Sequence, residues 1–507
     1  MSNYLSLLRI ILIDDKIKVT FRDNSANNRI KFENALRNYD WSLLKHENLN
    51  NYVENFLSKL NSFYCKYFPL KTKFISSRKF HNPWYTPDIK KLIEAKSKYF
   101  KLLRLGIVSN FENNKFKNKI KSIIAKSKSS YYESLFNRNR SNMRKTWSII
   151  KSITTCNASI DSSQNLLFNN IEYSDEFSVA NLFNEYFCDI ETTLEHDLAP
   201  STADLYTYIR LHNLSSMFLF PVSKTECSEI ISSLKVTKQG INEIPVKLFI
   251  QSRVSFLAII CDMINTCFKL GSFPDVLKRA VVVAIHKKGD RSLTSNYRPI
   301  ALLPFLSKVF ERCIFKRISS FISKHNIISP SQFGFSKGKS TEDAVCCLTE
   351  HIYESLNSKN VCVNVFIDLR KAFDTINHKI VLRKLEFYGI RGLPLKLHST
   401  YLTNRFQCVR FKTACSDLKP ICIGLPQGSI LAPILFLLFI NDLPNISQNF
   451  KSILFADDTT LSFNHSNYTD LNTTCNVELK SFHKWTLANR LTLNVDKTNL
   501  RHNSYIP

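Results

Sequence analysis

The sequence predicts an α+β protein in which a mostly helical, basic N-terminal region precedes a sheet-bearing C-terminal half. Three observations predict it. Residues 1 to 155 place apolar side chains at helical spacing, as in Phe32, Leu36 and Trp41 and then Val53, Phe56, Leu57 and Leu60. Val361–Ile367 is a β-branched apolar run of strand length, and residues 453 to 463 read as an antiparallel hairpin. Only 10 of 507 residues are glycine, far below the usual ~7%, and nearly all of them fall between Gly240 and Gly428. A chain so sparing of glycine keeps it where the backbone demands it, so the special turns are expected in the C-terminal half.

A length of 507 residues exceeds the ~100 to 200 of a single domain and predicts two or three folded units. With 44% hydrophobic and 22% charged residues the composition is that of a globular protein and excludes wholesale disorder. The charge is unusual: 69 Lys and Arg against 42 Asp and Glu give +27, which attracts polyanions. Nucleic acid is the first such partner, with an anionic membrane surface or an acidic protein as alternatives. The 14 cysteines are scattered, apart from adjacent Cys346 and Cys347, with no C-x-x-C and no zinc spacing. They read as reduced thiols of an intracellular, cytoplasmic or nuclear protein that is not secreted. The longest apolar run, Ile430 to Ile440, contains Pro433 and falls short of the ~20 residues of a bilayer crossing, so it reads as core and no membrane is expected. The opening MSNYLSLLRIILIDD is broken by Arg9, ends in two acids and has no cleavage site, so no signal peptide is expected.

Along the N-terminal region, Thr86-Pro87-Asp88 has the capping hydroxyl, first-turn proline and early acid of a helix start. Lys115 to Lys145 holds ten Lys or Arg and one acid, Glu133, interleaved with Phe116, Tyr131, Tyr132 and Phe136. It reads either as a basic helical face along a nucleic-acid backbone or as a solvated face with its aromatics packed inward. A Ser/Asn/Thr-rich stretch from Thr154 to Gln164 reads as a linker, and residues 165 to 230 as helical.

The chemistry concentrates later. Asp368 sits at the C-terminal end of the Val361–Ile367 strand, where a carboxylate can leave the sheet and face a cleft. Asp457 and Asp458 stand side by side at the tip of the 453–463 hairpin. Each has a structural alternative, since aspartate suits turns and helix starts. Two adjacent carboxylates between apolar strands repel, however, and a divalent ion shared with a third carboxylate removes that repulsion. Hard oxygen donors of this kind suit Mg²⁺, and two such ions ~3.5 to 4 Å apart support in-line phosphoryl transfer. Between the acid sites, Gly424-Leu-Pro-Gln-Gly428-Ser429 precedes the apolar run, either as a plain helix entry or as backbone that approaches a base or phosphate closely.

Taken together, Phe-Ile-Asp368-Leu-Arg-Lys-Ala-Phe-Asp, then Gly-Leu-Pro-Gln-Gly-Ser, then Phe-Ala-Asp457-Asp458 resembles the central motifs of reverse transcriptases, closest in wording to non-LTR, jockey-like retrotransposons. The likeness runs over roughly 230 to 500. Ala-Ile-His-Lys287-Lys-Gly-Asp and Asn296-Tyr-Arg298-Pro-Ile-Ala are similar to fingers segments of that family, and Lys238-Gln-Gly240-Ile-Asn242-Glu-Ile-Pro245 to a motif that usually has Asp in place of Asn242. Gln332-Phe-Gly334-Phe-Ser-Lys-Gly338 resembles a further motif, with Ser336 where the family usually has arginine.

The resemblance implies a right-hand polymerase fold with an antiparallel palm sheet. It divides the chain into a basic connector over 1–155, a linker and extension over 156–230, fingers over 231–345 and palm over 346–507, with a truncated C-terminal end. It implies Asp368, Asp457 and Asp458 as ligands of two Mg²⁺ ions, with Mn²⁺ as an alternative, and Lys287 and Arg298 as a grip on the incoming triphosphate. Phe373 becomes a gate against the ribose 2′-OH, Gln427 and Gly428 the lining of the nascent base pair, and Lys497 a proton donor to pyrophosphate or a plain strand-end lysine. RNA template, DNA primer and deoxynucleoside triphosphates are the implied partners. The chain starts in the connector and ends soon after Lys497, and so reads as lacking the endonuclease and most of the thumb. Two rival readings remain, an inactive retroelement remnant that only binds nucleic acid and a metal-dependent nuclease using the same carboxylates.

Overall fold

The computed structural model describes residues 11–13, 16–76, 84–105, 107, 109–154, 166–168, 171–189, 207–209, 213–234 and 244–503. Nearly all of the expected linker, most of the motif around Gly240 and most of the opening fifteen residues lie outside them. The chain folds as two compact units, Met1–Ser25 with Phe68–Ser163, and Ala26–Tyr67 with Gln164–Pro507.

In the first unit, β1 (Ile11–Ile13), β2 (Lys16–Arg22) and β3 (Leu70–Ser76) pair antiparallel in that order. The stretch expected to be helical is therefore mixed: β2 alternates polar with apolar residues, a period of two rather than 3.6, and β3 pairs along its whole length. Three helices follow, Pro87–Arg104, Asn110–Arg138 and Met143–Thr154. The first begins where the sequence predicts, with the Thr86 hydroxyl accepting from the Ile89 N–H and Pro87 in the first turn. The second opens with a reciprocal cap between Ser109 and Glu112. Its Lys115, Lys119, Lys121, Lys126 and Lys128 are exposed, whereas Phe116 stacks on Tyr99 with ring centroids 4.6 Å apart. That aromatic serves the helix pairing, and the lysines are left to solvent.

In the second unit, helices Ala26–Arg37 and Leu49–Tyr67 bury the predicted Phe32, Leu36, Val53 and Phe56. Trp41, Phe56 and Phe256 form an aromatic cluster, and Tyr52 donates its hydroxyl to Asp262 at 2.9 Å. Val246–Leu270 has the length and apolarity of a bilayer span, but a 3₁₀ turn at Arg253–Phe256 interrupts it and Ile260, Met263 and Ile264 lie fully buried in the core. The apolar run after Ser429 becomes helix Ala432–Ile440, buried at every residue except Pro433.

Strands β4 (Leu166–Phe168) and β5 (Ile171–Tyr173) form a separate antiparallel pair within a stretch expected to be helical, because each is too short to show a period. Two larger sheets position the site. The first joins β6 (Arg279–His286), β7 (Tyr297–Leu302), β9 (Arg405–Phe411), β10 (Ala414–Cys415) and β11 (Lys419–Ile421), with β8 (Val361–Ile367) excluded. It is mixed, since β6 runs parallel to β9. The second is antiparallel throughout, in the order β12 (Lys451–Phe455), β13 (Asp458–His465), β8, β14 (Asn499–Asn503). A polar pair pins its register: Asn364 and Ser462 face each other across β8 and β13, both 1% exposed, and the Ser462 hydroxyl donates to Asn364 at 2.6 Å.

One buried ion pair anchors helix His378–Phe387 to the end of helix Ala432–Ile440. Lys384 donates to the Phe439 carbonyl at 2.6 Å and to Asp442 at 2.8 Å, beside the faces of Phe439 and Trp485. Burial pushes the lysine's pKa down and the Asp442 charge pulls it back. Breaking such a pair leaves the other charge uncompensated in low dielectric. In urea titrations, Lys384→Met is expected to lose about 3 to 5 kcal/mol, and adding Asp442→Leu is expected to recover most of that loss.

Candidate active site

The register of β13 on β8 brings two distant acids together. Thr459 pairs with Ile367, so the next step sets Asp458 across from Asp368. On the other side Asp458 pairs with Phe455, leaving Ala456 and Asp457 as a two-residue turn. The tip expected to carry both acids is thus Ala456–Asp457, with Asp458 opening the second strand. The three carboxylates act on one another: Asp458 is held above the usual carboxylate range by burial first, then by the charges of Asp457 and Asp368, with Lys287 opposing. Asp368 is steadied from the other flank, where its Oδ2 accepts from Asn494 Nδ2 at 2.5 Å and lies 3.5 Å from Lys497 Nζ, and its carbonyl accepts the Asn494 N–H.

Among the described residues no three His, Cys, Asp or Glu side chains form a ready-made ligand cage. The fit to a divalent cation rests on the donors themselves. Three hard carboxylates meet at adjoining strand ends, where burial and then mutual repulsion hold Asp458 up; a cation between them would relieve both.

Cations gather on the same ground. Lys287 follows β6 directly, and Arg298 pairs with Ile285 on the partner strand β7. Lys287 is shifted below its usual range by burial, then by Arg298 and Lys497, while Asp368 opposes the shift. The first sheet therefore delivers Lys287 and Arg298 to the acids of the second. Of Lys287, Arg298 and Lys497, Lys497 is the one with an ion-pair partner among the described residues. Positive charge held this close without neutralisation suits a polyanion.

The Gly424–Ser429 loop is sewn to both sides. Gly424 and Leu425 donate N–H groups to Ile376 and Phe373, the His378 ring bonds the Gly424 carbonyl at 2.7 Å, and Gln427 accepts the Ala301 N–H at 2.8 Å. At Gly428, φ is +124° and a Cβ would stand 2.5 Å from the Ala301 carbonyl, so only glycine fits. The loop also enters a helix, as its plain alternative holds: Ser429 Oγ accepts the N–H groups of Leu431 and Ala432. Beneath it, buried Glu311 accepts the Ile430 N–H at 2.7 Å and the Tyr401 hydroxyl at 3.0 Å. Phe373 is half-buried and stacks on Phe436 at 4.3 Å, so its ring is held in place. Next to it, Asp374 accepts from Gln427 Nε2 at 2.8 Å.

All nine residues singled out from the sequence thus lie on these two sheet ends and their connections. The sequence reading gave no role to Asn494, Asp374, Glu311 or Gln332. Gln332 and Asp374 sit within motifs given above and Asn494 lies three residues before Lys497, whereas Glu311 lies within a helix and carries no local signal at all.

Residues 285–505 match the family described as Reverse transcriptase (RNA-dependent DNA polymerase). The chain is 33% identical over 266 residues to the probable RNA-directed DNA polymerase from transposon BS of Drosophila melanogaster, which covers 49% of this chain and 28% of that protein. It is 37% identical over 207 residues to the probable RNA-directed DNA polymerase from transposon X-element of the same organism, covering 39% and 22%. To the RNA-directed DNA polymerase from mobile element jockey it is 27% identical over 297 residues, covering 56% and 32%. The chain thus spans less than a third of the length of each of these relatives. Over residues 285–505 it carries a reverse transcriptase domain, of the kind found in jockey-like, non-LTR retrotransposons.

Proposed function

We propose that this chain is an RNA-directed DNA polymerase that adds deoxynucleotides to a primer 3′-OH on an RNA template, as part of a non-LTR retrotransposon. The observation that carries the reading is the meeting of Asp368, Asp457 and Asp458 with Lys287, Arg298 and Lys497 where two sheets end side by side. In this reading 231–345 are fingers and 346–507 palm, and 1–155 and 156–230 are the connector and extension before them. The exposed lysines of helix Asn110–Arg138 offer a further phosphate-binding face. The free thiols of the described cysteines suit an intracellular setting.

Asp368, Asp457 and Asp458 would hold two Mg²⁺ ions, which Mn²⁺ would replace. Bound there, such ions supply charge that favours the attacking alkoxide and the leaving pyrophosphate. The chain's own groups do the rest. Lys287 and Arg298 bind the triphosphate, one as a point charge and one as a planar fork. Lys497, beside Asp368, would give a proton to the leaving pyrophosphate. Phe373, braced by Phe436, fills the space that a 2′-OH needs, and Gln427 and Gly428 line the new base pair with Asp374 aiming the Gln427 amide.

Primer extension with Mg²⁺ on a primed RNA template tests the reading. Wild type is expected to extend the primer, and Asp457→Ala to lose at least about 10²-fold in rate, the scale on which electrostatic groups act in transition states. Equal signals from both, or none from either, would sink the polymerase reading, and strand scission without nucleotides would favour the nuclease. Phe373→Ala is expected to erode discrimination against ribonucleotides by about 10- to 100-fold, read as the ratio of kcat/KM for the two sugars.

Asp374 makes a third expectation, on stability. Crowding by protein pushes its carboxyl to about 6 from an ordinary 3.8, against the pull of the Gln427 hydrogen bond and of Lys371 and Arg298. The folded chain therefore holds this proton more tightly than the unfolded chain, which favours folding below pH 4 and ceases to do so as pH rises through about 6. Relative to wild type, Asp374→Asn is expected to gain up to about 3 kcal/mol between pH 4 and pH 7 in urea titrations.

A further inference from the structure

The turn that presents Asp457 and Asp458 is strained. Ala456 lies in the left-handed region, with φ +56°, a conformation that a residue with a Cβ adopts only when its surroundings impose it. The two-residue hairpin calls for positive φ at this position, where glycine or asparagine is the usual residue, and the segment before helix Thr341–Asn357 braces the alanine there. That segment runs beside β12 as a short extra strand: Leu454 donates its N–H to Ser331 at 2.9 Å and accepts from the Phe333 N–H at 2.8 Å, with Gln332 bridged parallel to Leu454. From there the Gln332 side chain, in a residue only 2% exposed, reaches the turn. Its Oε1 accepts two backbone N–H groups, from Gly334 at 2.9 Å and from Ala456 at 3.0 Å. Both partners are donors, so the atom between them must be the oxygen, and the orientation of the amide is settled by its bonds. Gly334 completes the clamp, since a Cβ there would come within 2.3 Å of the Ala456 nitrogen. Lys339 holds the clamp closed from behind, donating to the carbonyls of Pro330 at 2.5 Å and Gln332 at 2.9 Å.

We infer that Gln332 is a positioning residue for the metal-holding carboxylates: its amide oxygen holds Ala456 in the left-handed conformation and so aims Asp457 and Asp458. This rests on the reading of those aspartates as metal ligands. The choice of residue fits the role. A glutamate would accept the same two N–H groups but add a negative charge one residue from acids that already repel. The neutral amide avoids that charge and leaves its Nε2 without a protein acceptor, a burden that packing alone gives no reason to keep.

The test is Mn²⁺ binding to the full 507-residue chain, followed by electron paramagnetic resonance without nucleotide, with thermal melting to confirm that each variant folds. Asp458→Asn is expected to weaken binding, which checks the carboxylate reading on its own. Gln332→Met, similar in volume but with no acceptor, is expected to weaken it by about 10- to 100-fold, the range typical of groups that orient metal ligands. Gln332→Glu is expected to bind at least as tightly as wild type. Adding Ala456→Gly to Gln332→Met is expected to restore most of the loss, because glycine takes positive φ without being held there. Should Gln332→Met not fold, Gln332→Asn retracts the acceptor by one methylene and gives the same comparison. Wild-type affinity in Gln332→Met beside a weakened Asp458→Asn overturns the inference and leaves the carboxylate reading standing. Wild-type affinity in Asp458→Asn overturns both. A loss in Gln332→Met that Ala456→Gly leaves untouched reduces Gln332 to ordinary packing and overturns the inference.

Discussion

The register of β13 against β8 is the constraint on which the site depends. A slip of one residue would turn every side chain of β13 to the other face and remove Asp458 from its place across from Asp368. Alternation in β13, which sets Leu461 and Phe463 on one face and Thr460, Ser462 and Asn464 on the other, opposes such a slip, although β8 is largely apolar on both faces. The buried Asn364–Ser462 hydrogen bond adds the specificity, because a shifted register strands two polar groups in the core. The energy that fixes the carboxylates is thus generated four pairs away from them.

The second organising force is charge held away from its partners. Carboxylates at the ends of β8 and β13 and cations from β6, β7 and the 494–497 segment occupy one neighbourhood, yet only Lys497 and Asp368 approach ion-pair distance. Full pairing would neutralise the site and leave nothing for a ligand to gain. The separation instead leaves like charges in mild conflict on each side, which a divalent ion at the acids and a polyphosphate at the bases would relieve. Asp458 and Lys287 are shifted in opposite directions, each by burial first and then by these like charges.

Rigid support around this charge comes from backbone bonds and buried side chains rather than from the surface. The Gly424–Ser429 loop is held by Phe373, Ile376 and Ala301 through main-chain bonds, and by Glu311 and Tyr401 from beneath. The Ala456 turn is held by Gln332 and by the absence of a side chain at Gly334. Loops fixed in this way present their side chains with little freedom, as any reaction by the proposed positioning would require.

Much of this was legible in the chain alone. Strand-ending Asp368, the paired Asp457 and Asp458, and the glycine-flanked loop are local patterns, and local patterns follow from backbone propensity and spacing. The helix start at Thr86, the core helix after Ser429 and the core positions of the first two helices are legible for the same reason. The short sheet of the N-terminal unit was less so, since β2 alone alternates, and over seven residues, among helical runs. What the sequence determined by itself is the inventory: which acids, bases and glycines the site has, and on what kind of element each one rides. Only the tertiary structure decided their partners, Asp458 with Asp368, Lys287 with Arg298 and Lys497, Gln332 with Ala456, and Glu311 under Ile430. Those pairings arise from sheet register and core packing between segments tens to hundreds of residues apart, and no window of local sequence contains them.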